Sequence, residues 1–190
     1  MIEEIKSRIE DGKEVFEKMS KDDALLEKIS LVSEICCQSL SDGGKIMFMG
    51  NGGSAADSQH LATELVSRYL KDRRAIAAIA LTVDSSALTA IGNDFSFDSV
   101  FSRQIEAIGK RNDVIFGITT SGNSKNVIQG IETAKSLGIL TVALTGKDGG
   151  RVSELADHSI VVPSDSVPLI QQCHIAIGHI ICENIENSAT

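Results

Sequence analysis

In the stretch 46–64, IMFMGNGGSAADSQHLATE, an imidazole and a carboxylate, His60 and Glu64, stand one helical turn apart, so their side chains project from one face. Such a pair can hold a divalent cation or move a proton. The apolar run ahead of it and the turn Asn51-Gly52-Gly53-Ser54 place the pair on a helix that follows a strand. The first N–H groups and the positive dipole end of that helix favour an anionic or oxygen-rich ligand. An isolated HxxxE pair is also what a solvated helix surface carries.

A second turn, Thr119-Thr120-Ser121-Gly122-Asn123-Ser124, leads into a helix over 125–137. Four hydroxyls, a glycine and a helix N-terminus suit a phosphate monoester, although Ser124 could equally be an ordinary N-cap at the end of a polar turn. Further donors lie near the C-terminus, where Gln171, His174 and His179 share one helical stretch. An imidazole from there, joined to His60 and Glu64, makes an acceptable donor set for zinc. Gln171 and His179 are separated by about 12 Å along a straight helix. One ion reaching both therefore calls for a break near Gln171 or for a neighbouring subunit. Asn93 and Asp94 could meet sugar hydroxyls or could simply end one helix and open the next.

Apolar runs at 45–50, 75–81, 113–119, 140–146 and 158–163 are five expected strands, alternating with amphipathic stretches. Strands apolar on both faces require helices above and below, which predicts a three-layer α/β/α sandwich around a five-stranded parallel sheet. Helices are expected at 2–19, 22–41 and 166–187. They carry more apolar surface than one sheet can cover, so helix-mediated oligomerisation is expected. No linker or repeat divides the chain, and residues 1–190 read as a single domain, with 1–41 a helical extension ahead of the 42–190 core.

A formal charge of -8 over 190 residues disfavours nucleic acid as a partner, and no apolar run approaches the length of a membrane span. Neither a GxGxxG nor a P-loop lysine pattern occurs. Four cysteines without CxxC spacing, and an acidic N-terminus unlike a targeting peptide, point to reduced thiols and a cytoplasmic chain.

Taken together, GNGGSAADSQHLATEL (50–65), LTAIGNDFSFDSVFSRQIEA (88–107), ITTSGNSKNVI (118–128), ALTGKDGG (143–150) and IQQCHIAIGHIICENIE (170–186) resemble the sugar isomerase (SIS) family. Within it, the chain is similar to the phosphoheptose isomerases. The resemblance implies the SIS fold and conversion of sedoheptulose 7-phosphate to D-glycero-D-manno-heptose 7-phosphate through an enediol, the first step of nucleotide-activated heptose biosynthesis that can serve lipopolysaccharide. It implies substrate contacts from Asn51, Gly52, Gly53, Ser54, Glu64, Asn93, Asp94, Thr119, Thr120, Ser121, Ser124 and Gln171. It further implies one Zn2+ per subunit held by His60, Glu64, Gln171 and His179, acid/base roles for Glu64 and His179, and a homotetramer with sites at its subunit contacts. Where members carry Arg-Ile-Gln-Glu before the last helix, this chain reads Leu169-Ile170-Gln171-Gln172 behind Pro168. A competing expectation is a non-catalytic SIS-fold protein that associates with the replication initiator DnaA. That relative lacks the glutamate and the last histidine present here as Glu64 and His179.

Overall fold

Asp42-Gly43-Gly44 ends the second of two long N-terminal helices, and from there strands and helices alternate to the C-terminus. The computed structural model describes residues 1–189. The helices α1 (Ile2–Ser20) and α2 (Asp23–Ser41) come first, with Asp22 capping α2 by accepting the Leu25 N–H. Then follow β1 (Ile46–Gly50), α3 (Gly53–Val66), β2 (Ala78–Ala80), α4 (Ser85–Asp94), a 3-10 turn (Phe97–Ser99) and α5 (Ser102–Ile108). The chain closes with β3 (Val114–Ile118), α6 (Lys125–Ser136), β4 (Leu140–Gly146), α7 (Gly150–Leu155), β5 (His158–Val162) and α8 (Val167–Ser188).

The five strands form one parallel sheet in the order β2-β1-β3-β4-β5. Its central pairs run from Ile46 opposite Val114 to Gly50 opposite Ile118, and from Val114 opposite Leu140 to Ile118 opposite Leu144. Every residue of β1 and β3 is buried, because helices cover both faces. Val15, Val32, Leu61, Phe116, Ile177 and Ile181 join α1, α2, α3 and α8 to one face, where the Phe48 and Phe116 rings stack. Met47, Phe101, Ile115, Ile131 and Val152 fill the other face beneath α5, α6 and α7.

Two elements differ from their expected extents. The strand expected over 75–81 shrinks to Ala78–Ala80, since it is an edge strand whose pairing with β1 covers only Ile46 to Phe48. The helix expected to open after Asp94, over Ser96 to Ile108, divides into the 3-10 turn and α5. Serine hydroxyls compete with the helix there: Ser96 and Ser99 hydroxyls pair at 3.2 Å, and Ser102 donates to the Ser99 carbonyl.

His174 ties α8 to the end of β4, its Nε2–H donating to the Thr145 carbonyl at 3.0 Å. The ring is fully buried and Nδ1 has no partner among the described residues, so burial pushes the imidazole down to about 4 against the opposing hydrogen bond. A histidine buried in its neutral form stabilises the fold fully above its unfolded value near 6.5. That contribution is lost as pH falls from there toward 4. His174→Gln should therefore flatten the fall of the urea midpoint between about pH 6.5 and 4. An acid limb identical to that of the unsubstituted protein would show that His174 has no part in it.

Candidate active site

In a sheet of this order, the connections from β1 and β3 leave in opposite directions, opening a crevice at their carboxyl ends. Both turns singled out in the sequence lie there. Gly50 ends β1 where a Cβ would stand 2.8 Å from the Ile118 carbonyl oxygen and from the Ser54 Cβ, so only glycine lets α3 begin this close to β3. Gly52, with φ of 55°, turns the chain into α3, whose first turn buries Ser54 while Gly52 and Gly53 remain exposed.

Across the crevice, Thr119 is buried and its hydroxyl meets that of Ser124 at 3.1 Å. Ser124 occupies the N-cap position of α6, yet its side chain caps none of the helix's N–H groups. The simple N-cap reading does not hold. Ser121 Oγ accepts the Asn123 N–H, and Thr120 and Ser121 are half-buried on the rim. Gly122, at φ of +66°, packs directly on Gly149, and the Val152 N–H donates to the Gly122 carbonyl. The 146–150 turn thus braces this loop from behind.

Asn126, unmarked in the sequence, joins the two turns. It is buried and exchanges reciprocal amide hydrogen bonds with Asn51, both 2.8 Å long. A polar residue on the inner face of α6 was its only signal.

The helices α3 and α8 run side by side in the same direction. A Cβ at Gly178 would overlap the Leu61 side chain, so glycine brings the two helices close enough for His179 to reach His60. Their Nε2 atoms lie 2.8 Å apart, one donating and the other accepting according to tautomer, and Glu64 Oε1 is 3.2 Å from His60 Nε2. Each of the three residues offers a ligand atom within 4.8 Å of the others. Two imidazoles and one carboxylate are a fitting set for a tetrahedral divalent ion with a position left open. Asp57, one turn before His60, adds a buried Oδ2 without a hydrogen-bond partner among the described residues, and burial raises its carboxyl although His60 opposes the shift.

The expected separation of Gln171 from His179 along one straight helix holds. The helix α8 is continuous and one chain brings His60, Glu64 and His179 together. Gln171 lies elsewhere, its side-chain amide against Gly53 at the start of α3, because the parallel packing matches the beginning of one helix with the beginning of the other. Asn93 and Asp94 end α4, are exposed, and bond each other through Nδ2 and Oδ1 at 2.9 Å rather than any other candidate residue. The departures Leu169 and Gln172 face Gly12 of α1, and Pro168 occupies the first turn of α8.

A segment absent from the sequence reading, residues 67–74, closes one side. Tyr69 stacks on His179 with ring centroids 5.3 Å apart. Glu186 accepts the N–H groups of Tyr69, Leu70 and Lys71 and the Nε–H of Arg73, and both members of this ion pair are almost wholly buried. Burial alone would raise the Glu186 carboxyl, but those N–H groups and the guanidinium hold it below the usual value.

Residues 9–146 match the SIS domain. The phosphoheptose isomerase of a Nitratiruptor species is 50% identical over 99% of this chain and 100% of its own length. That of Sulfurimonas denitrificans is 52% identical over 96% of this chain and 93% of its own. The solved phosphoheptose isomerase GmhA from Neisseria gonorrhoeae aligns with a TM-score of 0.92 and 40% identity, covering 97% of this chain and 98% of that one. A phosphoheptose isomerase from Francisella tularensis reaches a TM-score of 0.94 at 32% identity, covering 98% of both chains. Alike in sequence over its whole length and in backbone throughout, the chain belongs to the phosphoheptose isomerases, aldose–ketose isomerases built on the SIS domain.

Proposed function

We propose that the chain converts sedoheptulose 7-phosphate to D-glycero-D-manno-heptose 7-phosphate, and that His60, Glu64 and His179 form its reaction centre. The observation that carries this reading is their convergence beside a crevice lined by a glycine turn and a hydroxyl loop. Moving a proton from C1 to C2 of a ketose phosphate needs a base, an acid and stabilisation of developing oxygen charge. The Glu64 carboxylate takes the C1 proton and returns it at C2. The His179 imidazole donates to the C2 carbonyl oxygen as the enediol forms and takes the O1 proton as the enediol collapses to the aldehyde, so both groups end in the state in which they began. A zinc ion held by His60, Glu64 and His179 supplies Lewis acidity toward that charge when bound.

The remaining residues bind and orient. Thr119, Thr120, Ser121 and Ser124 hold the phosphate, while Asn51, Gly52, Gly53, Ser54 and Gln171 line the sugar's path at the start of α3. Asn93 and Asp94 end a helix that buries none of its residues, which suits completion of the sugar site across a subunit contact. Exposed Ile2, Ile5, Ile9 and Phe16 on α1 support the same homotetrameric arrangement, since apolar side chains in such a row favour burial against another copy. All four cysteines are free and, among the described residues, no helix is long and apolar enough to cross a membrane. Both features support a cytoplasmic enzyme.

The test compares protein stripped of metal by a chelator with the same protein reloaded with zinc, each incubated with sedoheptulose 7-phosphate and analysed for the aldose. Turnover should vanish on stripping and return with zinc. Full turnover by demonstrably metal-free protein would refute the metal assignment, and no aldose from reloaded protein would refute the substrate.

A further inference from the structure

The segment 67–74 is joined to both helices that carry the donor residues, α3 and α8. Arg73 donates through its terminal nitrogens to the Glu64 carbonyl at 2.8 Å and the Leu65 carbonyl at 2.9 Å, closing the last turn of α3 below His60 and Glu64. Its Nε donates to Glu186, two helical turns beyond His179 and therefore on the same face of α8. The same Glu186 carboxylate accepts the Tyr69 N–H at 3.0 Å. A nearly solvent-free ion pair thus fixes where Tyr69 starts, and its ring lies over His179 with an interplanar angle of 29°. At its Nε2 edge, His179 meets the His60 ring, with centroids 5.0 Å apart and an interplanar angle of 53°. An imidazole ordinarily turns about its Cβ–Cγ bond in a broad torsional well. Here Tyr69 covers one face and His60 engages the Nε2 edge.

We propose that Tyr69 is a positioning residue: stacked on His179 and anchored by Arg73 and Glu186, it fixes the imidazole plane so that Nε2 points toward His60 and Glu64. The effect belongs to the aromatic face, not to the hydroxyl, and it acts on metal retention and proton transfer through His179. This inference rests on the reading of His179 as a member of the reaction centre.

The chain contains a reporter for the idea, since Tyr69 is its one tyrosine and it has no tryptophan. Tyrosine emission therefore reads the surroundings of His179. Zinc chloride titrated into metal-free protein should change that emission saturably, and His179→Gln should abolish the change. Zinc affinity, measured by competition with a chromophoric chelator, should fall about 10-fold or more in Tyr69→Ala, with a comparable fall in kcat and a much smaller change in KM. Tyr69→Phe should restore both. Emission that stays flat while zinc binds overturns the proposal without any substitution, so it stands testable even if Tyr69→Ala does not fold. Unaltered zinc affinity and kcat in Tyr69→Ala, or equal impairment in Tyr69→Phe, also overturns it. If the unsubstituted protein neither binds zinc nor turns over sugar phosphate, the functional reading falls first and the positioning role with it.

Discussion

Glu64→Gln is expected to lower sedoheptulose 7-phosphate turnover by about 10^2- to 10^4-fold, the range that loss of a positioned general base produces. The amide keeps the size of the carboxylate and its place on α3, where the backbone carbonyl still accepts from Arg73, so the fold should persist. It can neither accept the C1 proton nor offer a charged oxygen to a cation. The loss should appear in kcat at saturating zinc, with an unchanged thermal transition of the metal-free protein, because a group acting mainly in the transition state affects rate more than substrate binding. His179→Gln should be similarly damaging through loss of the acid. A Glu64→Gln enzyme turning over within a few-fold of the original would remove Glu64 from the chemistry and leave it as a helix-surface partner of His60.

The second large effect is expected at Gly122→Ala. The backbone there is left-handed at φ of +66°, which disfavours any β-carbon by about 1–2 kcal/mol. That carbon would also overlap the carbonyl oxygen of Gly149, so one of two braced turns must give way. In a chain of this size, 1 kcal/mol shifts Tm by roughly 2–4 °C, and strain with overlap together should lower it by about 4 °C or more. Displacement of the loop spreads the hydroxyls of Thr119, Ser121 and Ser124 away from one anion. KM should therefore rise by about an order of magnitude or more while kcat changes less, because phosphate binding is remote from the reacting carbons. An alanine variant with the original Tm and KM would mean that the 146–150 turn does not brace this loop.

Continuous apolar runs made the sheet legible, because strands covered on both faces leave no polar alternation to misread. The site was legible where chemistry is local: His60 and Glu64 share a turn, and the hydroxyls of 119–124 share a loop. What escaped depends on packing between distant elements. Nothing in the spacing of His60 and His179 says that α3 and α8 run parallel, or that Gly178 lets them touch. The straight-helix estimate that separated Gln171 from His179 could not show how one chain gathers the other three donors. Arg73 and Glu186 carry no signal in the sequence, and they are buried because each finds the other. Asn126 was hidden for a related reason, since its partner Asn51 lies on the far side of the crevice.

The order of the chain gives the parallel pairing of α3 and α8 a thermodynamic meaning. His60 and Glu64 belong to the first third of the sequence, and His179 to its last helix. An unfolded or truncated chain holds these groups far apart, so for the zinc site proposed above metal affinity and formation of the native state would be one linked equilibrium. Free zinc at a hundred times its dissociation constant would add about 2.7 kcal/mol to the native state. Metal supply would then set how long the folded enzyme persists, separate from how fast it works.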